Sequence, residues 1–219
     1  SIEYKYLKNR NSSKSIIQPS AMKNGQWYKF YVENTGVHKI DKDFLEDLGI
    51  NTANLDARKL KIYGHGGSML PMLNSEEFPI DPIENSIKFV GQNESTFNND
   101  DYILFYAQGS TGFNSESDTN LNLYEDRASY FISVGQSNGQ RIIDYLEPDN
   151  SSGQIIDYYT NYKFHEIDQY NLAQIGRRWF GDRFDFENSK TFEFNVENLL
   201  IDQPIYFKIY AAATSEIPT

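Results

Sequence analysis

Apolar residues recur at every second position through much of this chain. In Trp27-Tyr28-Lys29-Phe30-Tyr31-Val32, the side chains of Tyr28, Phe30 and Val32 fall on one side of a strand, because successive strand residues point to opposite faces. The turn signal Asn34-Thr35-Gly36 follows, then Val37-His38-Lys39-Ile40, and the two runs together read as a hairpin. Further strands are predicted over Leu60 to Tyr63, Ile87 to Val90, Tyr102 to Tyr106, Tyr130 to Val134 and Arg141 to Tyr145. Later in the chain, Ile156, Tyr158, Thr160, Tyr162 and Phe164 alternate along one long run. Phe192, Phe194 and Val196 repeat the pattern within Thr191 to Val196, as do Ile205, Phe207 and Ile209. Many short alternating runs separated by Gly, Asn, Asp and Ser predict a mainly β fold of antiparallel, sandwich-like sheets.

One or two short helices are expected beside them, the clearest over Asp41 to Gly49. Asp41 can accept a free amide of the first turn, Phe44, Leu45 and Leu48 share a face, and Gly49 suits a left-handed cap. The polar break Asp149-Asn150-Ser151-Ser152-Gly153 divides the chain into a β-rich domain over 1–150 and the start of a second, truncated β-rich segment over 151–219. The first residues, Ile2 to Leu7, already alternate, and Ile217-Pro218-Thr219 follows directly on another alternating run. Both ends therefore read as cuts through a longer protein.

Composition sharpens this picture. With 16 Tyr, 15 Phe and 2 Trp, the chain is rich in residues that suit a half-buried pleated surface. A net charge of −11, from 20 basic and 31 acidic residues, disfavours binding to a nucleic-acid backbone. There is no cysteine, which excludes disulfides, thiolate zinc sites and a cysteine nucleophile within these residues. No apolar stretch approaches the roughly 20 residues of a membrane-spanning helix. No signal peptide is visible at Ser1, which leaves export possible if the signal is removed or lies outside these residues.

Three segments are candidates for chemistry. A hydrophobic strand followed by His65-Gly66 is how caspase-like and gingipain-like peptidases present a catalytic histidine. That chemistry needs a thiol within reach, and none exists here. The plainer reading is a glycine turn that leaves the strand with positive φ angles. In the loop Gly91 to Asp101, the residues Asn93, Asn98, Asp100 and Asp101 offer some of the oxygens that Ca2+ requires, but their spacing matches no EF-hand, and a solvated turn explains them as well. The third segment is Gly176 to Phe184. Its Arg177, Arg178, Trp179 and Arg183 suit a carboxylate-bearing or glycan ligand, or else pair internally with Asp182 and Asp185. No set of residues composes a catalytic or cofactor site, and no P-loop, dinucleotide fingerprint or nucleophile elbow is present.

Several blocks taken together resemble a known family. They are Gly25-Gln26-Trp27-Tyr28-Lys29, Thr35 to Ile40, Leu48-Gly49-Ile50, Lys61 to Pro71, Asp100 to Gly109 and Gly176 to Asp182. In this order they are similar to the amino-terminal region of the PorU family, the gingipain-like cysteine-peptidase sortases of the type IX secretion system. The resemblance implies an exported, cell-surface protein associated with the outer membrane. Full-length members of that family remove carboxy-terminal sorting signals from secreted cargo and join the cargo to lipopolysaccharide. It implies three partners: a downstream peptidase domain, an outer-membrane protein of the PorV type, and the cargo itself. The family's catalytic His and Cys lie in the peptidase domain, downstream of every block matched here, so no catalytic residue carries over. The expected role is scaffold, partner contact or cargo recognition. The alternatives are an adhesin-like or carbohydrate-binding sandwich, and a hydrolase built on paired acids, which spacing alone does not reveal.

Overall fold

A computed structural model of the chain describes residues 20–73, 75–145, 155–172 and 178–213. Its elements in chain order are β1 (Trp27–Val32), β2 (Gly36–Asp41), α1 (Lys42–Asp47), β3 (Leu60–Tyr63), β4 (Glu84–Asn85), β5 (Ile87–Val90), β6 (Tyr102–Ala107), β7 (Thr111–Asn114), β8 (Thr119–Leu121) and β9 (Ala128–Val134). Four strands form one sheet in the order β1-β9-β3-β4, three form a second in the order β2-β6-β5, and β7 pairs with β8. All of these pairings are antiparallel. The chain is thus mainly β, as the alternation predicts.

The register explains the core. Tyr130 of β9 sits opposite Phe30 of β1, and Ile132 opposite Ile62 of β3. In the second sheet Phe105 of β6 lies between His38 of β2 and Ile87 of β5. These inward rows meet face to face, so Phe30, Val32, Leu60, Ile62, Tyr130 and Ile132 share one core with Ile40, Ile87, Ile103 and Phe105. At its centre Phe30, Phe105 and Tyr130 form a triangle, with ring centroids 5.5–5.9 Å apart. Tyr130 is buried, and a buried phenol needs hydrogen-bond partners. Its hydroxyl donates to the Gln108 carbonyl at 3.1 Å and accepts from the Gln108 amide at 2.8 Å, which ties the two sheets together. Tyr130→Phe is expected to cost about 1–3 kcal/mol, since it leaves two backbone groups short of a partner. Chemical denaturation of both proteins measures that cost.

The helix forms where it is expected. The Asp41 side chain accepts from the Phe44 amide at 3.1 Å, and this bond holds its carboxyl below the ordinary range. Leu45 is buried, Phe44 and Leu48 pack on the core, and Gly49 closes the helix at φ +90°.

Three sequence expectations need correction. First, β1 and β2 are not a hairpin: they pair with β9 and β6, in different sheets. Asn34-Thr35-Gly36 does reverse the chain, but as an arch between layers. Both runs can bury their apolar face from either side of a sandwich, so a turn signal alone does not choose the partner. Second, Arg141 to Tyr145 is not a strand. Arg141 makes only an isolated bridge to Ile87, while Ile143 and Tyr145 are exposed. Third, the alternating runs at 156–164, 191–196 and 205–209 form no ladder. Among the described residues, the one bridge beyond residue 155 joins Tyr170 to Phe180. Alternation gives a strand its faces, whereas pairing requires a neighbour, and no described residue supplies one. The short strands β4, β7 and β8 were not anticipated. Ile2 to Leu7, the break at 149–153 and Arg177 lie outside the described residues. No described helix is long and apolar enough to cross a membrane.

Candidate functional site

Strand β3 feeds directly into Gly64-His65-Gly66-Gly67, and the structure accounts for these glycines by close approach. Gly66 has φ +76°, a conformation that L side chains rarely adopt. A Cβ on Gly67 would stand 2.3 Å from the Gly109 carbonyl oxygen, and one on Gly109 would stand 2.1 Å from that of Glu33. Three backbones are therefore stacked: the β1–β2 arch, the chain leaving β6, and the glycine turn. Hydrogen bonds lock the stack. The Gly109 amide donates to Thr35 Oγ1 at 3.0 Å, Gly67 N–H donates to Gln108 O at 3.1 Å, and Asn122 Nδ2 donates to Gly67 O at 2.8 Å.

His65 lies against Phe78, with ring centroids 5.2 Å apart. Burial lowers its pKa from 6.5, while the nearby Asp81 carboxylate opposes that shift. Asp81 itself accepts from Ser20 Oγ and Ala21 N, each at 2.6 Å, and these bonds hold its carboxyl below the usual range. Among the described residues no hydroxyl is hydrogen-bonded to the His65 ring. The turn is thus a structural junction. A histidine whose folded pKa is depressed takes up its proton more readily in the unfolded chain. Stability is therefore expected to fall as pH drops from about 6.5 towards the lower folded value. His65→Gln should flatten that segment of a stability-versus-pH curve, and an unchanged slope would assign it to other groups.

The loop before β6 spends its oxygens on itself. Asp101 Oδ2 accepts from the Asn98 amide at 2.7 Å and from Asn98 Nδ2 at 3.0 Å. Asn93 Oδ1 accepts from the amide and the hydroxyl of Ser95. Asp100 borders a hollow of about 330 Å3 together with Asp101, Asp41, Lys39 and Lys42. Cations already line that space and engage its oxygens: Lys39 pairs with Asp41 at 3.4 Å, and Lys42 donates to Asn99 at 2.7 Å. Among the described residues no three His, Asp or Glu side chains are grouped as a metal site.

The two described arginines of the segment face different partners. The Arg178 guanidinium lies 4.8 Å from the Tyr210 ring centroid, whereas Arg183 Nε donates to Asp185 at 2.9 Å. Trp179 is exposed, and Arg177 lies outside the described residues. Asp182 pairs with His165 at 2.5 Å and with Lys190 at 3.4 Å, contacts that lower its pKa. The internal pairing expected for Asp185 is present, and the described partners of Asp182 are His165 and Lys190.

A polar junction that sequence reasoning missed lies on the β7–β8 hairpin. Asp118, at φ +56°, accepts from Lys208 Nζ at 2.8 Å and from the Tyr210 hydroxyl, and these bonds depress its pKa. Asn120 donates to Glu166 from its amide at 2.6 Å and from its side chain at 3.0 Å, and accepts from the Tyr162 hydroxyl at 3.1 Å. The only local signal is the turn-forming run Asn114 to Asp118, in which Asn114 Oδ1 accepts from the amides of Glu116 and Ser117. The partners of the junction are too distant in the chain for spacing to reveal them.

The described residues thus make an antiparallel β-sandwich module with a structural glycine junction. The fold is similar to part of a solved structure, that of dimeric latent PorU from Porphyromonas gingivalis, at 25% identity and a TM-score of 0.53. The likeness covers 75% of this chain and 14% of that one, so the chain spans a small part of that protein's length. No family model and no curated protein matches the chain.

Proposed function

We propose that this chain is the non-catalytic, β-rich portion of a cell-surface sortase of type IX secretion, serving as a scaffold and as a surface for partner or cargo recognition. The observation that carries the reading is the likeness to PorU, which extends over three quarters of the chain in one fold. The lack of any cysteine places the nucleophile of such an enzyme outside these residues. On this reading the sandwich supports a gingipain-like peptidase domain and works beside a PorV-type outer-membrane protein at the exported surface, where cargo arrives. The rival reading, a sugar-binding sandwich, finds less support. The exposed sheet face carries Trp27 and Tyr63, but their rings meet edge to face at 61° and do not lie side by side as a flat platform.

The test is enzymatic. The purified 219 residues are expected to leave a sorting-signal peptide intact, and the whole protein to cleave it. Cleavage or ligation by the 219 residues alone would overturn the reading, as would a whole protein that shows neither.

A further inference from the structure

The alternation that buries β9 leaves the later runs bare. In β9, Ala128, Tyr130 and Ile132 are 0–1% exposed. At 156–164, the alternate residues Ile156, Tyr158, Tyr162 and Phe164 are 39–80% exposed, and Ile205, Phe207 and Ile209 are 57–83% exposed. Phe192 and Phe194 each show 43% of their surface. No ladder joins these runs to one another or to the sandwich among the described residues. A strand in this state offers water both an apolar face and unpaired backbone groups, a combination that proteins avoid because it recruits other chains.

The runs are nevertheless held in place. Asn120 and Glu166 fix the first of them to the β7–β8 hairpin, where Tyr162 also packs on Phe113 at 6.2 Å. Asp118 fixes the last run through Lys208 and Tyr210. His165 packs at a tilt against Phe192, with ring centroids 4.7 Å apart, and brings the middle run to the first. Polar clamps thus position segments whose apolar positions stay largely exposed among the described residues.

We infer that residues 156–164, 191–196 and 205–209 are strands of a sheet completed by further β-strands of the same polypeptide, lying outside these 219 residues. The occupant must offer strand edges and an alternating apolar face, since that is what the runs present. A second copy of the chain is disfavoured, because each copy brings a net charge of −11. Polypeptide is available in the similar protein, where the matched part is 14% of the chain. The inference needs only a strand-bearing remainder and does not depend on that remainder being a peptidase.

Hydrogen–deuterium exchange on the intact protein from its native cell, compared with the 219-residue chain, tests it. Amides at 156–164 and 191–196 are expected to exchange at least about 100-fold more slowly in the intact protein, on the scale of core strands. Fast exchange in both would overturn the inference, as would slow exchange in the 219-residue chain alone or an intact protein that ends at Thr219. A double substitution, Tyr158→Asp with Phe207→Asp, provides a second measurement. It should leave the melting temperature of the 219-residue chain unchanged but abolish the protection at 156–164 in the intact protein. Protection that survives the substitutions would also overturn the inference. Protected runs in a protein without sortase activity would leave the inference standing while the functional reading fails.

Discussion

Phe105→Ala is expected to lower the unfolding free energy by about 3–5 kcal/mol, the range for removing a large aromatic side chain from a packed core. Phe105 is fully buried and touches both layers. Its ring contacts Phe30 and Tyr130 across the sandwich and lies 5.9 Å from His38 on its own sheet. Truncation opens a cavity lined by rings that are fixed by their own strands, so little collapse can fill it. Phe105→Leu keeps most of the volume and is expected to cost less than about 1.5 kcal/mol. Equilibrium denaturation of the two variants gives both numbers. Equal costs would mean that the ring contacts, not the filled volume, set the stability here.

Gly109→Ala is the second large effect, expected near about 3 kcal/mol, the upper end for overpacking. The added methyl group would stand 2.1 Å from the Glu33 carbonyl oxygen and 2.7 Å from its carbon, and both are backbone atoms. No rotamer change relieves such a contact, so the arch between the sheets must shift. That shift would also stretch the bond from the Gly109 amide to Thr35. Gly112→Ala is the matching control, because nothing lies within 4 Å of a Cβ built there. Thermal melts should separate the two variants clearly, and similar melting temperatures would refute the stacked-backbone account.

These sites show which parts of the fold can be read from the chain. The inward row of β1 was legible because alternation reports a buried face directly, and β3, β6 and β9 were legible as short apolar runs. The helix was legible because Asp41 and Gly49 act within a few residues of the groups they cap. Pairing was not legible: Val32 and Val37 lie on either side of a turn signal, yet they join different sheets. The same limit explains the runs after residue 155, where the pattern correctly marks apolar positions but says nothing of a neighbour. At His65 the glycine turn was legible, and Gly66 has the expected positive φ. The reason for Gly67 lies in Gly109 and Ser110, far away in the chain, where no local rule reaches. Arg178 and Arg183 illustrate the converse. Three arginines close in sequence suggested one cluster, but here the two described ones face different partners.

The arch between β1 and β2 also bears on how the protein is made. Trp27 opposes Ser133, so the partner of the first described strand is the last of the nine described strands to leave the ribosome. Until then β1 has no neighbour among the described residues to close its sheet, and the second sheet can assemble before the first. Vectorial synthesis therefore leaves Phe30 and Val32 waiting in solvent, a delay of the kind that slows folding when contacts are distant in the chain.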